Sequence, residues 1–236
     1  MKTAIVTGNT RGIGKAISEE LSQHDYRVVG CSRNEADIPD HYVCDVSDKE
    51  QVREFASKVK ETYEPVDLLV NNAGGCAPQD YLFKDIPLEE WDKIITGNLS
   101  SVAYVTQAFL PLMRKGSVIV NISSTLTQTL MPGKSLYSIS KAGIEVLTRN
   151  LALELAGEGI RVNCVRPGPT DTDLLRGHFM QEGKFEAERY AKFGENVPLG
   201  RLCSARDIAE TVYFFSTASM ITGQVLSVDG GRSLRW

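Results

Sequence analysis

The most restrictive feature stands near the amino terminus. A short apolar run over residues 4–7 leads directly into Thr7-Gly8-Asn9-Thr10-Arg11-Gly12-Ile13-Gly14, and residues 15–21 then follow helical periodicity. A strand that turns through glycines into a helix leaves the helix's first N–H groups uncovered, and glycine lets the backbone approach a bound group closely. That arrangement suits a pyrophosphate, which rests on those N–H groups and on the positive end of the helix. A P-loop would require G-x-x-x-x-G-K-[ST]. Here Gly14-Lys15 has Asn9 five positions before Gly14 and Ala16 after Lys15, so phosphoryl transfer is disfavoured. Taken alone, the turn is also compatible with a glycine loop that holds no ligand.

Further β-rich apolar runs recur over residues 27–30, 66–71, 117–122, 160–165 and 224–228, with helical segments between them. This alternation predicts βαβ units, a Rossmann-type doubly wound parallel sheet in a three-layer α/β/α sandwich. Asp67-Leu68-Leu69-Val70 lacks polar alternation, as expected of a central strand covered on both faces. A chain of 236 residues with no linker, repeat or low-complexity tract fits a single domain spanning 1–236. The formal net charge of -4 provides no excess of cations for nucleic acid or an anionic membrane. No stretch approaches the ~18 apolar residues of a membrane span.

Cys31, Cys44, Cys76, Cys164 and Cys203 form no C-x-x-C pair, and their odd number points to a reducing, cytoplasmic setting. His24, His41 and His178 are isolated from one another and from the cysteines, so no metal-ligand spacing is visible. Two helical segments are apolar nearly all round, one with Val102, Tyr104, Val105 and Phe109, the other with Ile144, Val146, Leu151 and Leu153. A helix on a sheet buries one stripe, so the other faces call for a second subunit, a homo-oligomer that is a dimer or tetramer. The alternative is that both helices lie deep inside the monomer. Residues 170–198 break the rhythm and predict a partly helical substrate lid, with Gly177, Gly183 and Gly194 as points of backbone freedom. A fixed helical pair used for subunit packing is the competing view.

Thr7-Gly8-x-x-x-Gly12-x-Gly14, then Asn71-Asn72-Ala73-Gly74, Asn98, Ser124, Tyr137-x-x-x-Lys141 and Pro167-Gly168 together resemble the short-chain dehydrogenase/reductase family over nearly the whole chain. The tail from Ile221 to Gly231 looks like the final strand and turn of the family's bacterial members, and the 3-oxoacyl-thioester reductases are the nearest in appearance. The resemblance implies an NADP(H)-type oxidoreductase that moves hydride between nicotinamide and a carbonyl or alcohol, with Asn98, Ser124, Tyr137 and Lys141 as the active-site tetrad. Tyr137 and Lys141 are four apart on a helix and project the same way, so the ammonium is expected to favour phenolate over phenol. In reduction Tyr137 would give a proton to the carbonyl oxygen and Ser124 would hydrogen-bond that oxygen. By resemblance, Tyr137 and Lys141 also border the cofactor, with Lys141 on the nicotinamide ribose, and Asn98 positions a water that leads protons to Lys141.

Around the cofactor, the resemblance places Gly8, Thr10, Arg11, Gly12, Ile13 and Gly14 at the pyrophosphate and Asn72, Ala73 and Gly74 on the adenosine side. It places the Asp45 carboxylate and Val46 backbone at the adenine edge; Asp45 as a helix cap is the alternative. Pro167, Gly168, Thr170 and Thr172 would fix the nicotinamide carboxamide. Cofactor choice is argued from charge. An NAD site carries a carboxylate at the end of the second strand, whereas here Ser32 takes that place and Arg33 follows. With Arg11 in reach, two cations favour the 2′-phosphate of NADP(H), and NAD(H) is the weaker option.

Leu126, Gln128, Leu130, Leu174, Leu175, His178, Phe179 and Met180 predict a largely apolar substrate cleft. Glu158 stands where the thioester reductases often present a basic residue to a carrier protein, which weakens a carrier-bound substrate without removing a free ketone or CoA ester. An oxidative alcohol or sugar dehydrogenase and a nucleotide sensor without turnover are the alternatives. The intact tetrad argues against the sensor.

Overall fold

The computed structural model describes residues 1–63, 65–77, 79–181 and 184–234. A seven-stranded parallel sheet runs through it in the order β3-β2-β1-β4-β5-β6-β9. These are β1 (Lys2–Thr7), β2 (Tyr26–Ser32), β3 (His41–Val43), β4 (Val66–Asn71), β5 (Met113–Ile122), β6 (Arg161–Pro167) and β9 (Val225–Val228). The expected doubly wound sandwich is therefore present. Successive strand residues face opposite layers, which is why runs such as Leu68-Leu69-Val70 are apolar throughout. Ala4, Val6, Leu68, Val70, Val118 and Val120 pack toward one layer, with Ile17 and Leu21 of α1 (Gly12–Ser22) and Ile208, Val212 and Phe215 of α8 (Ala205–Thr217). Ile5, Leu69, Ile119 and Val162 face the other, with Phe55 and Val59 of α2 (Lys49–Tyr63), Phe109 of α4 (Ser101–Phe109) and Ala152 of α5 (Ser135–Glu154).

Two differences from the sequence expectations concern strands beside the site. The three-residue β3 was not anticipated, because His41 and Val43 are partly or fully exposed and form no apolar run. Strand β5 starts at Met113, before the expected residue 117, with a register shift between Val66 and Leu68 on its neighbour. Residues 170–198 carry α6 (Asp173–Gly177), the antiparallel pair β7 (Met180–Gln181) and β8 (Lys184–Phe185), and α7 (Ala187–Glu195). That segment is partly helical, as expected, and Gly183 lies outside the described residues. The short α3 (Leu88–Ile95) precedes α4. No described helix is long and apolar enough to cross a membrane.

Strand β1 lies between β2 and β4, so the winding reverses there and opens a crevice at the carboxyl ends of β1 and β4. The loops that follow β1, β4, β5 and β6 all end at this edge of the sheet.

Candidate active site

The glycine turn is built for close approach. Gly8 has φ +70 and donates its N–H to Cys31 O at 2.7 Å, and a Cβ on Gly14 would come within 2.1 Å of Gly8 O. Asn72 Nδ2 donates to Thr7 O at 2.8 Å, and Thr7 Oγ1 accepts from Asn72 N and Ala73 N at 3.0 Å each, so the end of β4 is locked onto the turn. Arg11, the N-cap of α1, makes no side-chain cap hydrogen bond, and the first helical turn holds no acidic residue. Free N–H groups at a helix start beside glycine fit a dinucleotide pyrophosphate. A Cβ on Gly12 would lie 3.5 Å from Thr172 Cγ2, so the start of segment 170–198 faces the turn across the crevice. Thr172 Oγ1 accepts from Leu175 N at 3.4 Å, and Thr170 Oγ1 donates to Gly168 O at 2.9 Å.

At the end of β2, Arg33 is exposed, as is Arg11. Ser32 Oγ donates to Asn34 O at 2.9 Å and stands 3.3 Å from His41 Nε2. His41 Nδ1 pairs with Asn9 Oδ1 at 3.0 Å, which links the strand end to the glycine turn. Asp45 does not cap α2: its Oδ1 accepts from Ser47 N and Ser47 Oγ at 2.9 and 2.7 Å. Asp48 takes the capping role, accepting from Glu50 N and Gln51 N at 2.9 and 3.3 Å. Val46 and Ala73 line the same small crevice.

The four expected catalytic side chains gather at the carboxyl ends of β4 and β5. Asn98 lies in a π-helical stretch (Thr96–Ser100) between α3 and α4, a distortion frequent at functional sites. Its Oδ1 accepts from Gly75 N at 2.9 Å, and its Nδ2 donates to Gly75 O and Ser140 Oγ at 3.0 Å each. The amide is thus committed to holding the β4 loop against α5. A Cβ on Gly74 would sit 2.9 Å from Asn98 Oδ1 and 3.4 Å from Lys141 Nζ, so glycine lets these two groups converge there. Ser124 Oγ accepts from Leu126 N at 3.2 Å.

The electrostatics correct one expectation. Burial pushes the Tyr137 phenol up from its ordinary value, Cys76 adds to the rise, and the Ser124 hydroxyl opposes it. Lys141 does not bring it down. Its Nζ donates to Ile122 O at 3.0 Å and lies 5.8 Å from the Tyr137 ring centroid, while burial lowers its own pKa to about 8. The phenol is therefore held protonated, the form able to donate.

Sequence reasoning missed Glu145, one further helical turn along α5. Its carboxylate accepts from Ser123 Oγ, Thr127 Oγ1, Arg166 Nε and Arg166 Nη2 at 2.7, 2.8, 2.9 and 2.6 Å. Ser123 and Thr127 flank Ser124, so one buried carboxylate anchors both sides of that loop. The i, i+4 spacing from Lys141 was a usable signal.

The cleft against Tyr137 is mixed in character, with Cys76, Ala77 and Leu136 beside Gln79, Asp80, Tyr81 and Lys134, and none of these is among the residues expected to form the apolar cleft. Leu130 and Leu174 are 68% and 53% exposed, and Phe179 turns inward onto Tyr190 and Phe193. All five cysteines are free, and no described cluster of His, Cys, Asp or Glu is arranged to hold a metal.

The profile of the family described as Enoyl-(acyl carrier protein) reductase matches residues 7–233. The 3-oxoacyl-[acyl-carrier-protein] reductase FabG of Haemophilus influenzae is 38% identical over 244 residues, covering 98% of this chain and 97% of that protein. Its Escherichia coli K12 counterpart is 35% identical, with 98% and 96% covered. The ligand-free aldohexose dehydrogenase of Thermoplasma acidophilum superposes with a TM-score of 0.93 at 33% identity, covering 100% of this chain and 95% of that one.

Proposed function

Because the chain belongs to the short-chain dehydrogenase/reductase family, oxidoreductases that act on C=O and CH–OH groups, we propose that it is an NADP(H)-dependent ketone reductase. The substrate class this reading favours is a 3-oxoacyl-type ketone, free or as a thioester. The observation that carries it is the meeting of Tyr137, Ser124 and Lys141 beside an uncapped helix start and a glycine turn. NADP(H), when bound, supplies the hydride for the carbonyl carbon or takes it back from the alcohol.

The chain's own residues do the rest. Gly8, Thr10, Arg11, Gly12, Ile13 and Gly14 hold the pyrophosphate, and Arg11 and Arg33 neutralise the 2′-phosphate beside Ser32. Asp45, Val46, Asn72, Ala73 and Gly74 border the adenosine. Lys141 holds ribose hydroxyls, and Pro167, Gly168, Thr170 and Thr172 orient the carboxamide. Tyr137 gives its phenolic proton to the carbonyl oxygen as the carbon gains hydride, so a neutral alcohol forms and the phenolate is left to be reprotonated. Ser124 hydrogen-bonds the same oxygen and, by opposing the rise in the Tyr137 phenol, favours the transient phenolate. Asn98 fixes the loop around which the reprotonating water enters.

Exposed Ile139, Val146 and Leu153 on α5 support self-association, with two or four copies. The charged pair in the cleft and the likeness to an aldohexose dehydrogenase favour, as a second reading, oxidation of a hydroxylated substrate by the same groups. The test is to follow NADPH absorbance with a panel of ketones, 3-oxo esters and acetoacetyl-CoA, and NADP+ with sugars. Tyr137→Phe is expected to remove nearly all turnover while cofactor affinity stays within a few-fold. Retention of half the wild-type rate would reject Tyr137 as proton donor.

A further inference from the structure

The cleft beside Tyr137 contains a cation whose hydrogen-bonding capacity is not exhausted within the chain. Lys134 is the N-cap residue of α5, three positions before Tyr137, so both side chains leave the same end of that helix. The Lys134 side chain is only 15% exposed and is ion-paired with Asp80. Gly133 permits this meeting of loops: it has φ +83, and a Cβ there would come within 3.0 Å of the Asp80 Cβ. An ammonium carries three donors. Among the described residues Asp80 Oδ1 is the one acceptor bonded to Lys134 Nζ, and Asp80 Oδ2 has no bonded donor. The pair therefore offers both donors and an acceptor to the cleft, which Gln79 and Tyr81 also line.

The pair also lies close to the reacting end. Lys134 and Asp80 both act on the Cys76 thiol, which in turn acts on the Tyr137 phenol. His178, which follows α6, feels the same two charges. The Asp80 side chain is 55% exposed and keeps its water, but the Lys134 ammonium is mostly covered, so a hydrocarbon substituent here would leave its spare donors unmet, whereas a carbonyl or hydroxyl oxygen would satisfy them.

We propose that Lys134 and Asp80 form a subsite for a second oxygen function of the substrate, a few atoms from the reacting carbonyl. The enzyme then selects 3-oxo esters and hydroxylated ketones over plain ketones of similar length. This rests on the reading of Tyr137 as the proton donor. Lys134 donates to the second oxygen, and Asp80 accepts from it when it is a hydroxyl.

The experiment compares kcat/KM for ethyl acetoacetate, 4-hydroxy-2-butanone and 2-hexanone, with NADPH, in the wild type and in Lys134→Met, Lys134→Gln and Asp80→Asn. Hydrogen bonds to charged groups set the scale, so the wild type is expected to favour each oxygenated compound by about tenfold or more. In Lys134→Met both preferences should fall toward one. In Asp80→Asn the loss should be larger for the hydroxyketone. Intrinsic reactivity differs among these ketones but is common to all four proteins, so the change in ratio carries the result. Lys134→Gln, which keeps a polar donor, should retain part of the preference and covers the case in which Lys134→Met does not fold. Wild-type ratios near one, or ratios that survive both Lys134 substitutions, would overturn the subsite. If none of the three compounds were reduced, the assigned reaction itself would fall, and the subsite with it.

Discussion

Glutamine in place of Glu145 removes one charge from the junction of α5, the Ser124 loop and β6. The Glu145 and Arg166 side chains are each 8% exposed, and the carboxylate accepts four hydrogen bonds. Burial alone would raise the carboxyl, but hydrogen bonds from Arg166, Ser123 and Thr127 outweigh it and hold the pKa below the ordinary 4.5. Deleting one member of a buried pair leaves the other uncompensated, which costs about 3–5 kcal/mol. In a domain of this size each kcal/mol lowers Tm by about 2–4 °C, so Glu145→Gln is expected to lose roughly 6–20 °C. Urea unfolding followed by circular dichroism measures the free energy directly. Arg166→Met should be costly too, but the double variant should cost less than the sum, because no charge is stranded. The pH dependence has a definite sign. A folded pKa below the unfolded one means that the contribution is complete above about 4.5 and is lost as pH falls through the lower folded value. The gap between wild type and Glu145→Gln should therefore narrow in acid. A cost under about 1 kcal/mol at neutral pH, typical of an exposed pair, or strict additivity in the double variant, would refute the reasoning.

Arg33→Ala is expected to weaken NADPH binding by about tenfold or more and leave NADH little changed, since a charge-assisted bond to phosphate is worth roughly 1.5–3 kcal/mol; equal weakening in a fluorescence titration would remove Arg33 from the 2′-phosphate. Burial brings Lys141 to about 8, so its ammonium is present below that pH and lost above it. Reductive kcat/KM should fall as pH rises through about 8, and a flat profile to about pH 10 would contradict the role given to Lys141. If residues 170–198 close over substrate, their amides should gain hydrogen-exchange protection with NADPH and a slow substrate; strong protection already present without ligand would identify a fixed packing element.

The sheet was legible because its strands lie between two helical layers and must be apolar on both faces, as Leu68, Leu69 and Val70 are. Strand β3 was not, since a three-residue edge strand with an exposed Val43 buries too little to mark itself. The tetrad's residues were legible as types and spacings. Their electrostatics were not, because i, i+4 spacing places Lys141 near Tyr137 but does not say that its ammonium turns to the Ile122 carbonyl. The charged pair in the cleft was missed for a similar reason. Lys134 and Asp80 are 54 positions apart, and only the fold brings them together. Asp45 stood open as a cap of α2 until the backbone put Asp48 at the helix start.

His41 has an implication for anyone wishing to retarget this protein from one dinucleotide to another. Its imidazole touches Asn9 on one side and Ser32 and Asn34 on the other, while Asn9 sits so tightly over Gly30 that a Cβ there would lie 2.0 Å from its amide nitrogen. Exchanging Ser32 for the acid found in NAD sites would set a carboxylate beside that imidazole, where the two would pair with each other instead of with a ribose. The end of β2 and the glycine turn are thus one mechanical unit, and a substitution at residue 32 has to redesign residue 41 at the same time.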